Sequence, residues 1–282
     1  MARTEHNGEI IQRVVVLLDG SRASRSALQA AVDYAERRGA ELLGLFLEDT
    51  DLLRSARLPF GREIGLTSGN IRTVDESALQ ARLRQRAGEL HRLLASTARR
   101  RPLRWRFEIS RDRPDAITRS TTREGDLLII ARPGWHRGRG PGMSVGLARL
   151  ASEANCAVLV LGEDRPATDR PVLVLYEHTA VGERAMNVAA TMARDASQPL
   201  TVLLPPGSSD ERIADAARGW AQRHGRRVVL QALSADDAPT LVATLNLQQG
   251  QALVLSRDSR AMESPAGRNL LDEIDAPVVV VP

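Results

Sequence analysis

The sequence contains no lysine, so all 39 basic residues are arginine. That absence removes the side chain used as a phosphate-binding ammonium, a Schiff-base former or a pKa-shifted general base. Cysteine is nearly missing too, and the single thiol, Cys156, excludes an intramolecular disulfide framework. It sits in the apolar run Cys156-Ala157-Val158-Leu159-Val160-Leu161, which predicts a buried, inert side chain. No apolar run approaches the ~18–20 residues of a membrane span. Met1 to Glu9 are polar and lack the apolar core of a signal peptide, so a cytoplasmic location is expected. No cysteine–histidine spacing and no His-Glu-x-x-His motif suggests a metal.

What is present describes a globular chain. With 282 residues, 43% apolar and 26% charged, the polypeptide can form two domains of ordinary size or one large one. Charge is unevenly divided. Residues 1–163 hold 27 arginines against 20 acidic residues, whereas 164–282 hold 12 against 15. The basic half can attract an anion, but the excess is too small to indicate nucleic acid.

Strand-like and helix-like segments alternate from end to end. Val14–Leu18 is a short, fully apolar, β-branched run, as a strand buried on both faces should be. A helical pattern follows Asp19-Gly20-Ser21, with Leu28, Ala31, Val32 and Ala35 on one face and Gly39 placed to end it. Leu42–Leu47 reads as the second strand. A long helix through Leu79, Leu83, Ala87, Leu90 and Leu94 comes next. Strands near Leu103–Ile109, Leu127–Ala131 and Ala157–Leu161 complete the first half, with helices near Pro114–Arg123 and from about Ser144.

The same order recurs in the second half. Strands are expected at Val172–Leu175, Leu200–Leu204, Val228–Leu233, Ala252–Ser256 and Val278–Val281. Helices fall at Glu183–Arg194, Asp210–His224, Pro239–Leu247 and Asn269–Ile274. A constant offset of 158 pairs Asp19 with Glu177, Ala27 with Ala185, Leu28 with Met186 and Ala35 with Ala193. Near the ends, Glu153–Val158 matches Glu273–Val278. This is an internal duplication. Alternating elements with short links imply a mostly parallel, doubly wound sheet in each half. The polar stretch Gly162–Asp169 reads as a linker between domains at 1–163 and 170–282.

Strand–Asp19-Gly20-Ser21–helix, followed later by strand–Gly-rich loop–helix–Cys156-Ala157-Val158-Leu159-Val160, resembles a universal stress protein domain. The resemblance covers nearly the whole chain, more strongly over 12–162 than over 170–282. It implies two tandem five-stranded parallel sheets of order 3-2-1-4-5, with ATP held at the carboxyl ends of strands 1 and 4, where the order reverses. Asp19 matches the aspartate that meets the adenine side, with Gly20 and Ser21 completing its turn.

The family's phosphate motif is Gly-x-x-Gly, nine residues, then Gly-Ser/Thr. Its glycines let backbone approach phosphate, and a helix N-terminus offers free N–H groups. Here the aligned residues are Ala131, Arg132, Pro133 and Gly134, then Ser144 and Val145. Only Gly134 is a glycine, and Val145 lacks the hydroxyl donor. The loop between carries Arg137-Gly138-Arg139-Gly140-Pro141-Gly142, in which Arg137 can contribute charge to a shifted anion nest. The candidate nucleotide residues are therefore Asp19, Gly20, Ser21, Ala131, Arg132, Gly134, Arg137, Ser144 and Val145. In the second half Glu177 replaces Asp19, flanked by the bulky Tyr176 and His178, and Ser256–Ser264 contains no glycine. Glu177 and His178 read there as a solvent-facing loop pair, and this half reads as a structural partner.

Other motifs are weaker. Gly142-Met143-Ser144-Val145-Gly146 spells a hydrolase nucleophile elbow, but Arg137–Pro141 is not the strand such an elbow needs. Arg99-Arg100-Arg101 is expected to close a helix, with cations facing its negative end, while Arg104 and Arg106 lie along an edge strand. Residues 48–74 are too apolar for a free loop and read as a packed excursion. Three functions follow: a non-enzymatic stress-response or regulatory protein, an ATP- or AMP-binding switch or slow ATPase, and a serine hydrolase at Ser144. No cofactor is expected in the first, and its partners are proteins. The resemblance implies pairing of last strands, as in dimers of single-domain family members, so the apolar strands Ala157–Leu161 and Val278–Val281 are expected to pair antiparallel within one chain, giving a pseudo-dimer.

Overall fold

A computed structural model describes residues 11–48, 62–64, 71–73, 75–132, 146–162, 170–177, 180–206, 211–263, 270–271, 274 and 276–282. The first half runs β1 (Arg13–Leu18), α1 (Arg22–Arg38), β2 (Glu41–Leu47), β3 (Arg62–Ile64), β4 (Ile71–Thr73) and α2 (Glu76–Ala98). It continues through β5 (Trp105–Ser110), α3 (Pro114–Thr121), β6 (Asp126–Ala131), α4 (Leu147–Glu153) and β7 (Ala157–Leu161). The second half repeats the pattern with β8 (Val172–Leu175), α5 (Ala180–Met192), β9 (Leu200–Leu204), α6 (Glu211–Arg223) and β10 (Val228–Ala232). It ends with α7 (Ala238–Leu247), β11 (Ala252–Ser256), α8 (Arg260–Glu263) and β12 (Val278–Val281). The 48–74 excursion contributes the antiparallel pair β3–β4.

Among the described residues, ten strands form one sheet in the order β10-β9-β8-β11-β12-β7-β6-β1-β2-β5. Each half has the 3-2-1-4-5 order, and every pairing within a half is parallel. The halves meet at β7 and β12, which pair antiparallel with Val278 opposite Val160, Val279 opposite Leu159 and Val280 opposite Val158.

Burial follows from position in this sheet. The central strands are covered on both faces, so their apolar runs are nearly unbroken. The edge strands β5 and β10 instead mix half-buried and exposed residues. Val14, Val16 and Leu18 point toward α1 and α2, and the matching face of the second half packs on α5 and α6. Val15 and Leu17 point the other way, to the face covered by α4, α7 and α8. Because the seam is antiparallel and in plane, one face carries the same pair of helices from both halves.

Local chemistry sets the helix ends. Ser21 caps α1, its Oγ accepting the Ser24 N–H at 3.1 Å. Gly39 ends the helix in the left-handed region at φ 64°, where a side chain is unfavourable. Beneath the sheet, Arg13 of β1 is paired to the buried Asp126 of β6 at 2.5 Å, and this pairing raises its pKa further. The expected helix 269–274 is described only at Leu270, Leu271 and Ile274, all buried. One expectation needs correction. The Arg101 N–H donates to Ala98 O at the end of α2, but its guanidinium turns away from that end, reaching back to α1 to pair with Asp33 at 2.5 Å and Glu36 at 3.0 Å.

Candidate functional site

At the carboxyl ends of β1 and β6 the strand order reverses, and a crevice is expected there. The register Leu17–Ile130 places Leu18 beside Ala131, so Asp19 and Arg132 leave the sheet side by side. Asp19 turns back on its own chain. Its Oδ1 accepts the Ser21 N–H at 2.9 Å and the Ser24 hydroxyl, and its N–H donates to Ser24 Oγ at 3.1 Å. Ser24 is fully buried, so this acceptor atom is committed to a closed local network.

Gly20 allows the turn. Its φ of 81° lies in the left-handed region, and a Cβ there would meet the stem of Arg86 at 3.1 Å. The Arg86 stem, from α2, thus lies across the expected adenine side, a contact that the local sequence around Asp19 gives no hint of. At the end of β2, the buried Glu48 pairs with Arg111 at 2.5 Å.

Across the crevice, Ala131 is buried and ends β6. The N–H of Arg132 continues the sheet pairing, donating to Leu161 O at 2.6 Å. Its guanidinium leaves the crevice altogether, and Nε donates to Leu271 O in the other half at 2.7 Å. Arg132 therefore joins the halves and does not meet Asp19. Gly134, Arg137, Ser144 and Val145 lie outside the described residues, as does His178. Helix α4 starts after Gly146 without a side-chain cap.

The second half repeats the arginine. Arg257 follows β11, its N–H donates to Val281 O at 2.8 Å, and its guanidinium reaches Ser152 O and Ala154 O at 3.1 and 3.2 Å. Each half thus sends one arginine across the seam, from the same position after its fourth strand. Arg257 meets carbonyls at the end of α4, where a cation opposes the helix's negative pole.

The acidic residues differ. Glu177 is half-buried rather than solvent-facing, which corrects the expectation for it. Burial pushes its pKa up from the ordinary 4.5, and Asp236 and Glu263 add to the rise. The Arg260 backbone N–H and guanidinium act against it. Glu177 thus accepts from the first residue of α8, a short helix where the sequence suggested only a loop. Tyr176 is fully buried, with its ring against Gly182 of α5. Cys156 is buried as expected, and burial pushes its thiol pKa up to about 12.

Among the described residues, no group of three or more His, Cys, Asp or Glu could hold a metal ion. No helix among them is long and apolar enough to cross a membrane. The fold is that of a duplicated, doubly wound α/β protein.

No known family profile matches the sequence, and no curated protein matches it. A solved structure does match at full length. A universal stress protein from Archaeoglobus fulgidus DSM 4304 is 14% identical, with 95% of this chain and 95% of that one covered at a TM-score of 0.66. Universal stress protein UspA from Lactobacillus plantarum is 18% identical over 53% of this chain and 97% of that one, TM-score 0.33. A universal stress protein solved in complex with cAMP is 15% identical over 55% and 98%, TM-score 0.34. The full-length match establishes that the chain has the universal stress protein fold.

Proposed function

We propose that the protein is a non-enzymatic stress-response or regulatory protein that acts through protein contacts in the cytoplasm and holds nucleotide weakly or not at all. The observation carrying this reading is that crevice groups are spent inside the chain. Asp19 Oδ1 is engaged by Ser21 and Ser24, Arg132 by Leu271, and Glu177 by the start of α8. The replacements at Ala131, Ser144 and Val145 support it, because they add carbon or delete a hydroxyl where the family's motif approaches phosphate. The hydroxyl missing at Val145 leaves a phosphate oxygen short of one donor, and the carbons added at Ala131 and Ser144 hold backbone N–H groups away from phosphate. In this proposal neither ATP nor AMP is a resident cofactor, and Ser144 is not a nucleophile.

Titration of the full chain with a fluorescent ATP analogue tests the reading. The expected affinity is no better than high micromolar, and protein denatured after purification should release no adenine nucleotide. Submicromolar saturation, or stoichiometric ATP released on denaturation, overturns it in favour of a nucleotide switch centred on Asp19 and the Arg137 loop.

A further inference from the structure

Duplication leaves a trough that a single half does not have. On one face α1 packs over β1 and β6, and α5 packs over β8 and β11, so the seam between β7 and β12 lies between two helices. A groove of about 510 Å³ runs there, inside the range of roughly 300–1,000 Å³ typical of small-molecule sites. Its floor is aliphatic, made by Leu127, Leu159, Leu161 and Val279 from the sheet. Val188 and Met192 of α5 form one wall, and Ala30 and Tyr34 of α1 the other.

The helices are pinned together beside it. The Tyr34 hydroxyl lies 3.4 Å from Thr191 Oγ1, and Arg38 donates to Thr191 O at 2.6 Å. This geometry holds the helices at a fixed spacing. The groove's volume amounts to about one turn of a helix of another protein, which is about 10–12 Å across with side chains.

Charge at the mouth is one-sided. Arg37, Arg38 and Arg194 line the groove, with Asp33 the only carboxylate among the lining residues. Asp33 is already neutralised by Arg101 at 2.5 Å, and Arg194 by Asp195 at 3.1 Å. Arg37 is exposed and has no hydrogen bond or ion pair with any described residue. A guanidinium in that position is a ready partner for a carboxylate. The single aromatic ring in the lining, Tyr34, is buried and tied to Thr191, so a flat base finds no stacking platform.

We propose that this seam groove binds a single-chain amphiphile with an aliphatic tail and one carboxylate head, the tail along Leu159, Leu161 and Val279 and the head at Arg37. The site is separate from the crevice at Asp19, and either can be present without the other. Tail burial supplies the affinity through removal of apolar surface from water, and the arginine supplies head-group selection.

Calorimetric titration of the full chain with dodecanoate, below its micelle concentration, tests this against dodecyltrimethylammonium. Saturable one-site binding of dodecanoate is expected, with the cationic amphiphile about tenfold weaker or more, as loss of one charge-assisted contact implies. Arg37→Glu should weaken dodecanoate by at least about the same factor. Ala30→Trp should block both amphiphiles, because its ring fills the trough from the α1 side. Thermal melting checks that both variants remain folded, and the head-group comparison on the unmodified protein stands regardless. Absence of saturable dodecanoate binding overturns the proposal, as does equal affinity for both heads or binding indifferent to Ala30→Trp. A dimer in light scattering that Ala30→Trp dissociates would assign the groove to a second copy instead, and would equally overturn it.

Discussion

The two halves share one topology and differ in what they do with the acidic residue that ends their first strand. Asp19 is taken up by its own turn, through Ser21 and Ser24. Glu177, one methylene longer and followed by no such pair of serines, reaches the start of α8 and sits among Asp236, Glu263 and Arg260. Sheet order is set by apolar strand runs, which both halves keep. The loops at the carboxyl ends carry none of that load, so they can diverge without disturbing the sheet. What the halves retain in common at those ends is the crossing arginine, Arg132 in one and Arg257 in the other. The halves thus agree in the arginines that hold them together and differ in the acidic groups around the crevice.

The seam offers the strongest way to break this picture. Val280 is buried between β7 and β11 on the face away from the groove, whereas Val229 is 54% exposed on the edge strand β10. Val280→Arg buries an unpaired guanidinium and should destabilise by more than ~4 kcal/mol. It should also expose the β7 edge and promote association. Val229→Arg should stay within about 0.5 kcal/mol of the wild type. Denaturant unfolding and light scattering read both. Equal effects would mean that the seam contributes nothing to stability beyond what an edge strand does.

The crossing arginines sharpen the comparison. Arg132 is buried, and its removal leaves the Leu271 carbonyl without that donor, a loss of about 2 kcal/mol. Arg257 is half-buried and one of its two acceptors, Ser152 O, lies in an exposed setting, so Arg257→Ala should lose about 1 kcal/mol. Equilibrium unfolding of the two single variants decides it. Equal losses would show that burial does not set the difference.

Most of the fold was legible because its signals are local. Continuous apolar runs marked the buried strands, Gly39 marked a helix end, and the 158-residue offset paired Leu28 with Met186, both of which are fully buried. The pairing of β7 with β12 followed from the family resemblance together with two apolar last strands that needed cover. Much less of the site could be read. Arg132 and Leu271 are 139 residues apart, and nothing in the spacing of either one announces the contact. A signal was available all the same, since each half places an arginine directly after its fourth strand, in Ala131-Arg132 and Ser256-Arg257. Arg101 misled because a cation at a helix end has an ordinary local explanation, and its partners Asp33 and Glu36 lie on another helix. Glu177 looked exposed because a polar neighbour, His178, follows it, while its burial comes from the packing of α8, which the sequence of Ser256–Ser264 did not disclose.

The smallest effect is also the most specific, because the two acidic residues should respond with opposite signs. Asp19→Ala removes the acceptor of the Ser21 N–H and the Ser24 hydroxyl and should lower stability by about 1 kcal/mol. Glu177 has a folded pKa above its unfolded value, so the folded state binds the proton more tightly. Its effect on stability therefore becomes unfavourable as pH rises from about 4.5 through the raised pKa, and it stays unfavourable above that point. Glu177→Gln keeps an oxygen for the Arg260 N–H and removes the charge that faces Asp236 and Glu263. Because the group is only half-buried, solvent screening trims the benefit to a rise of roughly 1 °C in melting temperature at pH 7. At a pH well below 4.5 the benefit should vanish, since the carboxyl is then protonated in both the folded and unfolded states. Melting curves of Asp19→Ala and Glu177→Gln at both pH values test the contrast. A Glu177→Gln variant less stable than the wild type at pH 7 would show that the carboxylate is a favourable anchor for α8, and the two halves would then use their acidic residues alike.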